Sequence, residues 1–240
     1  KTYTMLISII IPVYNEEKYI FELLKRVNSV KNIDKEIIVI NDFSNDNTLS
    51  ILNTECKSLY TKLLTNKKNM GKGFSCREGI KQATGDIVII QDADLEYNPE
   101  NYINLIEPIK NSKAKVVYGS RVMPGGSRTR PKTIDFKVRY LANLFLTFLS
   151  NILNRQKLTD CHTCYKVFKS EVIKKKVTLY ENGFCFCPEV TAKISRLGIK
   201  IHEVPIDYFG RTHSEGKKIV YFDGLRAIYS ILKYNLFKNT

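Results

Sequence analysis

The chain has no tryptophan, only three methionines and three histidines, and too few acidic residues to balance its basic ones. The missing indoles are replaced by 14 tyrosines and 12 phenylalanines, enough large rings to fill a core. None of the histidines (His162, His202, His213) falls in an H-E-x-x-H spacing, which excludes a helical zinc-hydrolase site. No apolar run approaches the roughly 20 residues needed to cross a bilayer. The run Met5–Val13 ends in a charged loop and reads as a strand. The opening KTYTMLISIIIPVYNEE lacks the apolar core and cleavage pattern of a secretory signal, so the six cysteines are expected as reduced thiols in a cytoplasmic setting. Internal repeats and low-complexity segments are also missing.

Two phosphate-loop signatures are absent as well. NMGKGFS lacks the first glycine and the spacing of G-x-x-x-x-G-K-[ST], and Gly71 and Gly73 have no third partner for G-x-G-x-x-G. A P-loop ATPase and a Rossmann dehydrogenase are thereby disfavoured. A backbone nest with Lys72 facing phosphates stays open.

What is present suits a folded globular protein. Hydrophobic residues make up 43% and charged residues 26%, the balance of a globular chain, and 240 residues suit a single domain over 1–240. The excess of 38 Lys+Arg over 24 Asp+Glu gives a net charge of +14 and points to an anionic partner: nucleic acid, a membrane surface or a phosphorylated substrate.

From residue 5 to about 120, β-branched runs alternate with helical stretches. The runs are LISIIIPV, KEIIVIND, TKLLTN, DIVIIQDAD and AKVVYGS, and the pattern predicts a parallel sheet flanked by helices. After Ser120 the texture changes to a basic loop, RVMPGGSRTRPKT, and a long apolar helix, DFKVRYLANLFLTFLSNIL.

Ligands of open α/β sheets bind beyond the carboxyl ends of the strands. PVYNEE, NDFSNDNT, NMGKGFS and DAD all fall at such ends. Asp92 and Asp94 alternate, so an extended backbone would aim both at one face, and their oxygens suit Mg²⁺ or Mn²⁺. The bland alternative is a solvated acidic turn capping the helix that starts at Pro99.

Together ISIIIPVYNEE, VINDFSNDNT, N-x-GKG, QDADLEYNP, VVYGSR, TDCHTCYKVF, PEVTAKI and EVPIDYFGRTHSEGKKI resemble the family 2 glycosyltransferases. More narrowly, they look like the branch typified by dolichyl-phosphate mannose synthase and its bacterial polyprenyl-phosphate glycosyltransferase relatives. The resemblance runs from about Met5 to Phe237 and implies a GT-A fold with a Rossmann-like, mostly parallel sheet, no transmembrane domain, a nucleotide-sugar donor and inversion at the anomeric carbon.

Position by position, the resemblance implies that Pro12, Tyr14 and Glu16 border the nucleotide, that Asp42 contacts its base or ribose, and that Asp92, Asp94 and Glu96 hold the metal. Arg121, Arg211 and the Lys217–Lys218 pair would face phosphate, and Asp160 would line the acceptor side. Residues 1–120 would then form the nucleotide-sugar half and 121–240 the acceptor half. Two departures stand out: Asn41 replaces a frequent Asp, and Cys185 and Cys187 replace a usual Gly and Glu, leaving Glu189 as the nearby carboxylate.

The nature of the attacking group decides whether a base is needed. A sugar hydroxyl must lose a proton and would need a carboxylate such as Asp160 or Glu189. A lipid phosphate is already an anion and needs only positioning cations, for which Arg121, Arg128, Arg130, Lys132, Arg139 and Arg211 are candidates. Asp94, Asp160, Arg121 and Arg211 are therefore the expected catalytic group. The helix at 135–153 would lie in a membrane interface and guide the polyprenyl tail, making the protein peripheral on the cytosolic face. Its alternative is a core helix.

Two other readings carry less. Cys161-x-x-Cys164 and Cys185-x-Cys187 approach zinc-ribbon spacing, but the second pair is too close for that motif, and buried thiols explain it better. A nucleic-acid module would use the charge, yet no helix-turn-helix or aromatic RNA-binding signature is present, so no nucleic-acid partner is expected.

Overall fold

A computed structural model describes residues 5–129, 133–211 and 221–237. The first half alternates β1 (Leu6–Val13), α1 (Ile20–Ser29), β2 (Asp34–Asn41), α2 (Thr48–Asn53), β3 (Lys62–Thr65), α3 (Lys72–Gln82), β4 (Ile87–Ile90), α4 (Tyr102–Lys110) and β5 (Val116–Ser120). The second half adds β6 (Arg128–Thr129), α5 (Ile134–Asn154), β7 (Lys166–Lys169), α6 (Ser170–Lys175), α7 (Phe186–Arg196), β8 (His202–Pro205), β9 (Tyr208–Phe209) and α8 (Tyr221–Leu236).

The main sheet has seven strands in the order β3-β2-β1-β4-β7-β5-β8. β1 is apolar along nearly its whole length, as a strand must be when covered on both faces, and it sits centrally between parallel β2 and β4. The chain winds outward through β2 and β3 on one side of β1 and through β4 on the other. The β1/β4 boundary is thus the switch point where a crevice opens at the carboxyl ends.

One strand departs from the expected parallel pattern. β7 pairs antiparallel with both β4 and β5, placing KVFK of the second half inside the sheet. Only four residues long and preceded by Cys- and Thr-rich turns, it gives little strand signal on its own. It also fuses the two halves of the sequence into one core.

β4 ends at Ile90, short of the expected run to Asp94. Gln91–Glu96 is irregular, with Leu95 at φ 59°, so strand alternation is not what brings Asp92 and Asp94 together.

α5 opens with Thr133, whose Oγ1 accepts the Phe136 N–H at 3.2 Å. It packs against α8 through Leu146, Ala227 and Ile231. None of the helices among the described residues is long and apolar enough to cross a membrane.

Candidate active site

A cavity of about 580 Å³ opens at the β1/β4 switch point. Pro12, Tyr14, Glu16, Asp42, Lys72, Asp92, Asp94 and Glu96 border it from the first half, and Arg121, Arg139, Asp160 and Arg211 from the second. The expected site residues are therefore brought together, apart from Arg128, which does not border the cavity and donates to the Val122 carbonyl at 3.0 Å, and from Lys217 and Lys218, which lie outside the described residues together with Arg130, Lys132 and His213.

Asp42 shapes one wall of the cavity. Its carboxylate accepts N–H bonds from Asn66 (2.6 Å), Met70 (2.8 Å) and Gly71 (2.7 Å), pulling the 66–71 loop onto the end of β2. Oδ1 takes two of these bonds and Oδ2 one, which leaves a further lone pair on Oδ2. Gly71 sits at φ +93°, and an added Cβ would lie 2.5 Å from the Asn182 carbonyl, so only glycine fits this loop.

Asp92 and Asp94 form the floor. Burial opposes ionisation of Asp92, but the Lys72 ammonium paired with it outweighs this and holds the carboxyl below its ordinary range. Asp94 goes the other way: burial, then the neighbouring Glu96 and Asp92 charges, push it up to about 7 despite Arg211. Arg211 Nη2 lies 3.0 Å from Asp94 and Nη1 3.2 Å from Glu16, and the guanidinium stacks over Tyr19.

Glu96, the third expected metal ligand, borders the same floor. Its oxygens accept the Tyr208 hydroxyl at 3.1 Å and the Arg211 amide at 2.7 Å. Those bonds tie β9 and Arg211 just beyond it to the D-x-D loop.

On the acceptor side, Asp160 is fully buried and forks onto Arg121, with Nε at 2.6 Å and Nη2 at 2.8 Å. Asn143 of α5 adds a bond at 3.1 Å. Burial alone would raise Asp160, but Arg121 and these bonds bring it down to about 2. A carboxylate so acidic is a weak general base. Glu189, the other candidate base, is also fully buried and is occupied by the Tyr180 and Glu181 amides and Lys193.

Sequence patterns gave no sign of Asn143, Tyr97 and Tyr208, which also line the cavity. His162 carried no ligand spacing yet lines it too, held neutral near 4 by burial and then by Lys166. All six cysteines are free thiols. The donors fit a hard divalent cation: two adjacent carboxylates. Among the described residues no larger cluster of His, Cys, Asp and Glu could hold an ion unaided. Mg²⁺ and Mn²⁺ commonly take one or two carboxylates and complete their shell with substrate phosphates.

Residues 8–176 match Glycosyl transferase family 2. The dolichol-phosphate mannosyltransferase of Pyrococcus furiosus is 30% identical over 96% of this chain and 64% of its own length. A dolichyl-phosphate β-glucosyltransferase of Trichomonas vaginalis is 28% identical over 84% of this chain and 63% of its own. The chain thus spans less than two thirds of these relatives. In three dimensions, glucosyl-3-phosphoglycerate synthase of Mycobacterium tuberculosis, crystallised with Mn²⁺, UDP and its product, superposes at a TM-score of 0.71. The overlap covers 98% of this chain and 82% of that one at 16% identity, a likeness of GT-A fold. With the family match covering well over half of its length, this chain belongs to glycosyl transferase family 2.

Proposed function

We propose that the protein is an inverting, metal-dependent hexosyltransferase that moves a sugar from a nucleotide sugar, GDP-mannose or a UDP-hexose, to a polyprenyl or dolichyl phosphate. The observation that carries this reading is the composition of the cavity. Its floor is the Asp92–Asp94 pair, and its opposite wall holds Arg121 and Arg139 beside the apolar side of α5.

Asp92 and Asp94 would hold Mg²⁺ or Mn²⁺, which when bound neutralises charge developing on the departing nucleoside diphosphate. Asp42 and the loop it shapes border the nucleotide. Asp160 fixes the fork of Arg121 at the cavity wall, where a guanidinium can position an anionic acceptor. A phosphate acceptor needs no base. The two carboxylates that a hydroxyl acceptor would call on, Asp160 and Glu189, are both locked in ion pairs, which supports the phosphate reading.

Peripheral membrane contact follows from the outer faces of α5 and α8. Leu141, Phe145, Phe148 and Ile152 recur at helical spacing on one, and Phe222, Leu225, Tyr229 and Leu236 on the other, all exposed. An apolar helix pair of this kind suits the boundary between headgroups and acyl chains. Free thiols fit the reducing cytosolic side.

The test is transfer of labelled hexose from GDP-mannose and UDP-glucose to dolichyl phosphate in detergent with Mn²⁺, set against soluble sugar acceptors. Chelator-sensitive, lipid-soluble product supports the reading. Product only on a sugar hydroxyl would replace the acceptor half of it.

A further inference from the structure

Both carboxylates of the D-x-D pair are capped by cations of the chain itself. The Lys72 ammonium sits on Asp92 Oδ1, and Arg211 bridges Asp94 Oδ2 at 3.0 Å to Glu16 Oε2 at 3.2 Å. These cations arrive from separate places: Lys72 is the first residue of α3, and Arg211 follows β9. Four carboxylates, Glu16, Asp92, Asp94 and Glu96, crowd this floor, and so many like charges need nearby counter-charge.

We propose that Lys72 and Arg211 are exchange cations: they pair with the carboxylates that would hold the metal and transfer to the diphosphate when donor and divalent cation enter together. The proposal rests on the transferase reading above. Its physical basis is a conservation of ion pairs. A divalent cation arriving alone must displace Lys72 and Arg211 from their carboxylates and leave two partly buried cations without partners. A diphosphate arriving alone must draw the same cations away and leave Asp92 and Asp94 uncompensated. Stranding a buried charge is unfavourable in either case. When both arrive, carboxylates pair with metal and the released cations pair with phosphate, so no charge is left over. The two ligands are therefore positively coupled.

The surroundings suit such an exchange. The Arg211 backbone is fixed, its N–H donating to Glu96 Oε1 at 2.7 Å, so its side chain can turn while its root stays. Tyr19 lies under the guanidinium, with 5.0 Å to the ring centre, and offers a surface over which it can move. Lys72 carries a flexible four-carbon stem from a helix N-terminus, where backbone N–H groups also favour anions.

The deciding experiment is Mn²⁺ titration by electron paramagnetic resonance on the wild type, Arg211→Gln, Lys72→Met and Arg211→Lys, each with and without GDP or UDP. The wild type should bind Mn²⁺ weakly alone and more tightly with a nucleoside diphosphate. Removing the competing charge in Arg211→Gln or Lys72→Met should tighten nucleotide-free Mn²⁺ binding by at least about fivefold and shrink the nucleotide enhancement by a similar factor, within the usual range of coupling between two sites. Arg211→Lys keeps the charge and should keep the enhancement. Should Arg211→Gln fail to fold, the comparison stands on Lys72→Met. If the wild type binds Mn²⁺ with nucleotide but neither neutral variant gains affinity for Mn²⁺ alone, the exchange is overturned and the transferase reading survives. A wild type that binds no Mn²⁺ under any nucleotide overturns both.

Discussion

The two halves of the molecule place charge and apolar surface in opposite ways. In residues 5–120 the apolar side chains are inside, and only Phe21, Phe43 and Ile103 are large and exposed. The buried acidic groups there, Glu16, Asp42 and Glu96, all border the cavity. From residue 121 onward the arrangement turns over. Asp160, Lys166 and Glu189 are buried to 1% exposure or less, whereas Leu141, Phe145, Phe148, Leu225 and Tyr229 stand out at 55% or more. The second half thus hides its charges and presents rings and branched chains at its surface, while the first keeps its buried acids at the end of a sheet.

The sharpest way to test this division is at the polar end. Asp92→Ala or Asp94→Ala should lower hexose transfer by about a hundredfold or more, the scale of losing a preorganised electrostatic contact at a reacting phosphate. Vesicle binding through the other half should be unchanged. Transfer assays and vesicle sedimentation on the same preparations check both. Full turnover of either variant with added Mn²⁺ would break the metal assignment.

The next effect lies on stability rather than on donor binding. Asp160→Asn removes one partner of a buried bidentate pair and leaves Arg121, whose side chain keeps 21% exposure, without its counter-charge. The cost should be about 2–4 kcal/mol, or a melting point lower by roughly 5–15 °C in a chain of this size. The sign with pH follows from the native value of about 2, below the ordinary 3.8. A carboxyl depressed in this way stabilises the fold above pH ~4, and the contribution is lost as pH falls towards 2. Melting points of the two proteins should therefore converge between pH 4 and pH 2. A constant gap would mean that the charge of Asp160 is not what holds Arg121.

How much of this was legible in the sequence also divides between the halves. The strands of the first half announce themselves through β-branched runs buried on both faces, and the polar clusters at their ends locate the cavity without any coordinates. The D-x-D pair was visible, but the ground for its common direction was not, because β4 stops at Ile90 and the loop beyond it sets the geometry. Glu96 enters the acidic cluster through its closeness in sequence. Its oxygens also hold Tyr208 and Arg211, more than a hundred residues away, a contact that local pattern cannot encode. β7 was hidden for the same reason: four residues become a central strand only because β4 and β5 flank them. The apolar helix was legible as apolar, yet which of its residues meet α8 was not: Leu146 packs there, while Leu141, Phe145, Phe148 and Ile152 stay exposed among the described residues.

That uncovered face offers a milder test. Replacing Phe145 and Phe148 with Ser removes two exposed rings, each contributing about 1.5–3 kcal/mol when fully transferred from water to an apolar phase. Binding to liposomes carrying anionic lipid should fall by at least about tenfold. The melting point and Mn²⁺-dependent nucleotide binding should stay within error, since neither ring supports the core. An equal loss of nucleotide binding would show that the face belongs to the fold and not to a surface.

The smallest effect probes where the two halves meet. Thr133 caps α5 through a single bond to the Phe136 amide, one turn before Arg139 reaches the cavity. Thr133→Ala should cost about 1 kcal/mol of local helix stability and fray the turn that carries Phe136 and Val138. On the proposed assignment the donor draws on β1, β2 and the D-x-D loop, which make no use of this cap, so KM for the nucleotide sugar should hold steady. The proposed acceptor role of Arg139 depends on its direction, so KM for dolichyl phosphate should rise a few-fold. Thr133→Ser, which restores the hydroxyl, should recover it. If both KM values rose together in Thr133→Ala, the halves would be coupled through α5, and the separation of polar from apolar work would hold only for their surfaces.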